Sequence, residues 1–193
     1  RGLLDVFLTK SKMEAAAKNN EKYSQFGVKA ETLNREELLA LEPGLKDEVV
    51  GGFRYIEDAH VSPAHFVAGL RTLAEEHGAR FMEETEVTEF ITDGDQVTGL
   101  RTSAGEISAK RFILAAGAWS MELGKKLGVS LPVEAGKGYS ITFDRPEGSP
   151  SYPMRLSEAK VAVTPIGDKL RFAGTLEISG MDISINPRHF FSK

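Results

Sequence analysis

Residues 112–120 read FILAAGAWS, a run of apolar side chains placed directly before a turn of small residues. Phe112 to Ala116 fits a buried strand. Gly117 and Ala118 let the backbone turn with almost no side-chain bulk. Trp119 and Ser120 then lead into a short helix, 121–127, with Ser120 as its cap and Gly128 as its stop. Such a turn at a helix amino terminus brings backbone N–H groups close to a bound anion or nucleotide. The same residues would also serve as an ordinary strand–helix crossover in which the glycine only packs. Further along, Lys137 and Tyr139 flank Gly138. Side chains two apart on a strand share a face, so both can line a cavity in which the ammonium holds a carboxylate or stabilises negative charge. A snorkelling lysine beside a cross-strand tyrosine gives the same pattern. Arg155 and Arg171 are further carboxylate clamps, because a guanidinium grips a carboxylate through two parallel hydrogen bonds. For Arg171 an exposed salt bridge is the plainer alternative. His60 and His65 follow Glu57 and Asp58, but a metal needs three or four convergent ligands. One histidine precedes a helix that the other enters, so no metal site is expected.

These residues need elements to hold them. Gly2–Thr9 reads as a strand, and Ser11 with Glu14 is a capping-box pattern for a helix over 13–26 that Gly27 closes. Asn34 with Glu37 repeats that pattern before Arg35–Leu41, which Pro43-Gly44 ends. Val49–Ile56 returns to strand character. Ser62 and Pro63 open a helix carrying Phe66, Val67, Leu70, Leu73 and Ala74 on one face, and Gly78 stops it. Three strands are expected next: Arg80–Phe90, broken near Glu83–Thr85, then Gln96–Thr102 and Glu106–Ala109. Beyond Gly128, Val133–Phe143, Lys160–Thr164 and Lys169–Ile178 are strand candidates, the last two joined by a hairpin turn at Ile166-Gly167-Asp168. Asp144–Pro153, rich in Pro, Gly and Ser, reads as a loop that is mobile or packed against something outside the chain.

With 193 residues, 41% hydrophobic and 27% charged, the chain has the balance of a globular protein of one sizeable domain or two small ones. A formal net charge of −4 gives no basic field for nucleic acid. The apolar runs fall far short of the roughly 20 residues that span a bilayer, and RGLLDVFLTK lacks the form of a signal peptide. The absence of cysteine rules out a disulfide framework and thiolate catalysis and is compatible with a cytoplasmic setting.

ILAAGAWS, preceded by GARFMEETEVTEFITDGDQVTGLRTSAGEISAKR and followed by LPVEAGKGYSITF, resembles the D-amino-acid oxidase superfamily of FAD-dependent amine oxidoreductases, nearest its bacterial D-amino-acid dehydrogenase branch. The likeness runs from Arg1 to about Asn186. It implies an α/β (α+β) fold: the second half of a two-part FAD-binding domain, plus a mostly antiparallel substrate-domain sheet with helices. On that reading residues 1–60 are a substrate-domain cap segment, 61–128 the FAD-domain portion and 129–193 the substrate-domain sheet. Glu86 and Val87 would meet the adenine, largely through backbone groups. Ala116, Gly117, Ala118 and Trp119 would lie near the adenosine and pyrophosphate. GKGYS would lie near flavin and substrate, which makes Lys137 and Tyr139 catalytic candidates. Arg171 joins them because Val163-Thr164-Pro165 stands where several relatives carry a substrate-binding arginine. The implied activity is oxidation of the Cα–N bond of a D-amino acid with FAD as cofactor. Other amines (proline, hydroxyproline, sarcosine, glycine) and a flavin-free binding module are the alternatives. The implied partners are a small amino acid or amine, and a peripheral membrane or electron-acceptor contact at the inner face of the bacterial membrane. The family's opening G-x-G-x-x-G turn has no match here: Gly51–Gly52 and Gly136–Gly138 lack its spacing and setting. Nor does a Gly/Pro-rich flavin cover precede Phe191–Lys193. The resemblance therefore implies an internal fragment of an enzyme roughly twice as long.

Overall fold

A computed structural model describes residues 2–185, so the expectation about the chain end at Phe191–Lys193 lies outside the described residues. Two compact units emerge: one holds the chain up to Phe66 with Gly138–Glu177, the other Val67–Lys137 with Ile178–Ile183.

The first unit is organised by β1 (Leu3–Phe7), whose dense apolar sequence splits between two faces. Leu4 and Val6 join Leu33, Leu38, Val49, Met154, Val163 and Leu170 in the larger core. Phe7 meets Phe53 edge to face at 5.7 Å and, with Tyr55, forms a smaller cluster on the opposite side. The sheet has seven strands in the order β2-β3-β1-β8-β9-β10-β7. β2 (Ala30–Asn34) and β3 (Gly51–Tyr55) run antiparallel beside β1. β8 (Met154–Leu156) pairs parallel with β1, and β9 (Val161–Ile166) and β10 (Lys169–Ile178) continue antiparallel. β7 (Gly136–Asp144) lies beside β10. β2 and β8 escape the sequence reading: AETLN is mostly polar and MRL is only three residues long.

α2 (Arg35–Leu41) forms over the expected residues, with Asn34 Oδ1 accepting from Glu37 N at 3.0 Å and Glu37 Oε2 accepting from Asn34 N at 2.8 Å. Its Leu38 is fully buried over Gly52, where any Cβ would collide with the Asp5 carbonyl. α1 (Lys10–Ser24) starts earlier than expected and does not use the Ser11–Glu14 box. A distant carboxylate takes that role instead. Glu158 accepts from Leu8 N at 3.1 Å, Thr9 N at 3.2 Å and the Thr9 hydroxyl at 3.0 Å. The Asp144–Pro153 loop is also tied down within the chain. Glu42, buried at the end of α2, accepts from Ser151 N at 2.7 Å and Tyr152 N at 2.5 Å.

In the second unit, β4 (Val87–Asp93), β5 (Gln96–Thr102) and β6 (Gly105–Ser108) form an antiparallel meander. Residues 80–86 do not extend β4 as expected. They are drawn to α3 (Pro63–Glu76), where Arg71 bonds Glu75 and Glu83 and lies 4.9 Å from the Phe81 ring. α3 starts at Pro63 as expected, yet its apolar face of Phe66, Val67, Leu70 and Leu73 is exposed. Phe112–Ala116 is a correction of another kind. It is neither strand nor buried: no described strand flanks it, so its backbone has no ladder to join, and Ile113 is 92% exposed.

Two stability effects follow. Glu42→Ala removes two charge-assisted hydrogen bonds at a buried site and should cost about 2–4 kcal/mol in urea unfolding. Burial pulls the Glu158 carboxyl upward, but the N–H groups of Leu8 and Thr9 and the Thr9 hydroxyl outweigh it and hold it below its ordinary 4.5. A carboxyl depressed on folding contributes stability that is complete above its unfolded value and is lost as pH falls through the lower folded value. An acid titration of melting temperature should therefore be shallower in that range for Glu158→Gln than for the parent.

Candidate functional site

β4 is an edge strand, so half of its backbone polar groups have no neighbouring strand to bond. Glu86 directs its N–H to the Ser103 hydroxyl at 3.0 Å, and its C=O accepts from Ser103 N at 2.9 Å. Alternation along an antiparallel strand then turns the N–H and C=O of Val87, which sits opposite Thr102, away from β5. Beside this edge runs α4 (Ser120–Lys126), held to it by Lys126 Nζ donating to the Thr88 carbonyl at 2.9 Å. A cleft of about 370 Å³ lies there, lined by Glu86, Val87, Trp119, Glu122, Leu123 and Lys126. Trp119 is 59% exposed.

The turn into α4 is a single 3₁₀ turn, Gly117–Trp119, that starts from Ala116. Gly117 has φ +54 and no atom within 4 Å of where a Cβ would stand. Its glycine is required by left-handed backbone and not by crowding. Ser120 is not the cap that the sequence suggested: it lies inside α4, buried, and no side chain caps that helix. A 3₁₀ turn runs straight into the helix and leaves Ser120 with helical φ, the wrong geometry for a cap. Gly128, at φ +71, closes α4 as expected. Ala116 lines an adjoining apolar cleft of about 710 Å³ with Val87, Phe90, Leu100, Phe112 and Leu123. Glu86, Val87, Ala116, Gly117 and Trp119 are thus gathered along one edge, with half-buried Ala118 in the same turn. An outward N–H and C=O on one residue beside an exposed indole suits the edge of a flat heteroaromatic ring that offers an acceptor next to a donor.

Lys137, Tyr139 and Arg171 are held separately. Lys137 Nζ donates to the Asp182 carbonyl at 3.0 Å. The buried Tyr139 hydroxyl donates to Glu177 Oε2 at 2.6 Å. Arg171 Nε donates to the Thr142 hydroxyl at 3.0 Å. Glu177 and Arg171 stand six residues apart on β10, which is about 20 Å of strand. Tyr139 and Arg171 therefore do not converge on one small carboxylate.

A tighter cluster was only half visible in the sequence. The parallel register places Asp5 opposite Arg155. Arg155 donates Nε to Asp5 Oδ1 and Nη2 to Asp5 Oδ2, each at 2.5 Å. The Tyr55 hydroxyl stands 3.3 Å from Asp5 Oδ2 and 2.9 Å from Asn20 Oδ1. Bonding to Asp5 raises the Arg155 pKa above its usual value; burial, then the Asp5 charge, raise that of Tyr55. A lone acid inside LLDVF was the available signal. Among the described residues no group of three or more His, Cys, Asp or Glu could hold a metal ion, and no helix is long and apolar enough to cross a membrane.

Comparison with known proteins shows the family. The DAO family, described as FAD dependent oxidoreductase, matches residues 1–190. The D-amino acid dehydrogenase of Bradyrhizobium diazoefficiens is 37% identical over 185 residues, 93% of this chain and 44% of that protein. That of Vibrio cholerae is 33% identical over 190 residues, 96% of this chain and 45% of that protein. The chain spans less than half the length of these relatives. Among solved structures, glycine oxidase from Geobacillus kaustophilus superposes with a TM-score of 0.84 at 24% identity, covering 96% of this chain and 50% of that one. L-proline dehydrogenase from P. horikoshii gives 0.83 at 21%, covering 96% and 51%. At these identities the likeness is one of fold. With a family match spanning nearly every residue, the chain belongs to the DAO family of FAD dependent oxidoreductases.

Proposed function

We propose that the whole protein carrying this chain is an FAD-dependent D-amino-acid dehydrogenase, and that this chain supplies its adenosine-binding edge and part of its substrate sheet. The observation that carries the substrate class is the 33–37% identity to D-amino acid dehydrogenases along nearly the full chain. In this reading residues 61–128 belong to the FAD-binding domain, and 1–60 and 129–193 to the substrate domain.

The residues at the β4 edge fit the adenosine half of FAD. Val87 offers its outward N–H and C=O to the adenine edge, and Trp119 covers the nucleoside with its exposed face. Glu86 keeps its own backbone groups on Ser103 and holds the strand end in place. Gly117 lets Ala116–Trp119 turn beside the ligand without a strained side chain. Bound FAD supplies the acceptor for the hydride leaving Cα, while the amine loses a proton and the imine takes up water to give a 2-oxo acid and ammonia. On the substrate side, the Lys137 ammonium holds the amino-acid carboxylate, while the Tyr139 hydroxyl stays on Glu177 and supports the sheet. Arg171, separated along β10 from that tyrosine contact, serves the sheet through Thr142.

In the whole protein, Gly117→Val should cost about 1–3 kcal/mol and lower both flavin content and melting temperature, because valine resists positive φ. Wild-type values for both would reduce the turn to an ordinary crossover. Lys137→Met should lower kcat/KM on the best D-amino acid roughly 30- to 1000-fold and leave flavin content unchanged. Full turnover in that variant would make the lysine structural. Turnover of glycine, sarcosine or proline in place of any D-amino acid would move the substrate class, and a flavin-free product would point to a binding module.

A further inference from the structure

Glu84 carries a full side chain yet has φ +50. Left-handed backbone at such a residue persists only where its surroundings over-determine it. On one side of it, Arg71 holds the Glu83 carboxylate, and the Thr85 hydroxyl donates to the Glu83 carbonyl at 2.8 Å. On the other side stands Ser103, in the turn between β5 and β6. The Ser103 hydroxyl accepts from Glu86 N at 3.0 Å and donates to the Glu84 carbonyl at 3.4 Å. Its own N–H donates to the Glu86 carbonyl at 2.9 Å. One serine thus braces residues 84–86 through three hydrogen bonds.

Ser103 is itself held in place. The buried Thr102 donates its hydroxyl to the Gly105 carbonyl at 2.6 Å and accepts from Ala104 N at 3.2 Å, which closes the turn around Ser103. The effect falls on the residue after Glu86. The Glu86 carbonyl and the Val87 N–H share one planar trans peptide, so a carbonyl fixed on Ser103 aims the N–H the opposite way. β4 begins at Val87 and β5 ends at Thr102, so the serine's bonds lie just beyond the regular ladder. They sit at the end of the strand where Glu86 and Val87 border the cleft with Trp119, while Ser103 does not line that cleft.

We propose that Ser103 is a positioning residue for the flavin nucleotide: it makes no contact with the ligand and acts by holding Glu86, so that the adenine meets a Val87 N–H already aimed at it. The inference rests on the adenosine reading of this edge given above and assigns the residue that sets its geometry. Because the serine acts through Val87 alone, only ligands that carry the adenosine end should feel its loss.

The test uses the whole protein stripped of flavin and titrated with FAD, with ADP as the adenosine end and with FMN as the isoalloxazine end. Ser103→Ala removes the two hydroxyl bonds and keeps the backbone one. It should weaken FAD and ADP alike about three- to tenfold, leave FMN unchanged, and keep the flavin-free melting temperature close to the parent. Ser103→Thr, which keeps the hydroxyl, should restore both affinities. Without any ligand, the Glu86 N–H should exchange faster in Ser103→Ala and at the parent rate in Ser103→Thr. Unchanged FAD and ADP affinity in Ser103→Ala would overturn the proposal, as would equal weakening of FMN or a loss that Ser103→Thr does not restore. The parent protein separates that failure from failure of the adenosine reading. If ADP protects the Val87 N–H in the parent, only the role of the serine falls; if ADP leaves it unprotected, the adenosine lies elsewhere and both fall.

Discussion

β1 and β8 lie side by side, and of the sheet pairings this is the one that joins the first 66 residues to the later strands β8–β10 and β7. It is only three residues long, so it needs more than ladder hydrogen bonds. Asp5 and Arg155 supply that. A carboxylate in the middle of an apolar strand is costly to bury alone, and the parallel register sets a guanidinium directly opposite it. Glu158 tying Leu8 and Thr9, and Glu42 tying Ser151 and Tyr152, repeat the device on either side. Three carboxylates thus fasten the early part of the chain to residues 151–158, and the larger hydrophobic cluster, which takes Met154, Val163 and Leu170 from the later strands, depends on that closure.

In the second unit backbone geometry does the comparable work. The meander ends at β4, and Ser103 satisfies Glu86 so fully that the next residue must face outward. Lys126 then brings α4 to the strand, and the left-handed Gly117 sets the indole of Trp119 beside the exposed edge. A bare edge beside an exposed tryptophan would invite aggregation in a protein without a ligand. In a member of the DAO family of FAD dependent oxidoreductases it fits the proposed place for the adenosine.

What the sequence showed follows how local each determinant is. The Asn34–Glu37 box closes over four consecutive residues, and it forms as read. Ser11–Glu14 has the same pattern and does not form, because Glu158, 149 residues from Thr9, reaches the helix start first. Gly117 and Gly128 read correctly as turn residues, since positive φ is a local demand. Phe112–Ala116 misled because apolar composition signals a strand only when neighbouring strands are present to pair with it. The residues proposed for the adenosine were singled out through the family resemblance at ETEV and AAGAW, and the fold gathers them along one edge. The outward turn of Val87 was not legible, because it depends on a serine 16 positions later. Asp5 and Arg155 lie 150 residues apart, and nothing in either neighbourhood names the other.

The adenine reading turns on the Val87 N–H, and amide hydrogen exchange resolves it from its neighbours. The measurement compares the whole protein with and without FAD, residue by residue. The Val87 N–H should exchange freely without flavin and become protected when FAD is bound, while that of Glu86, already bonded to Ser103, should change little. Val87 protection that is the same in both states would place the adenine elsewhere and contradict the reading.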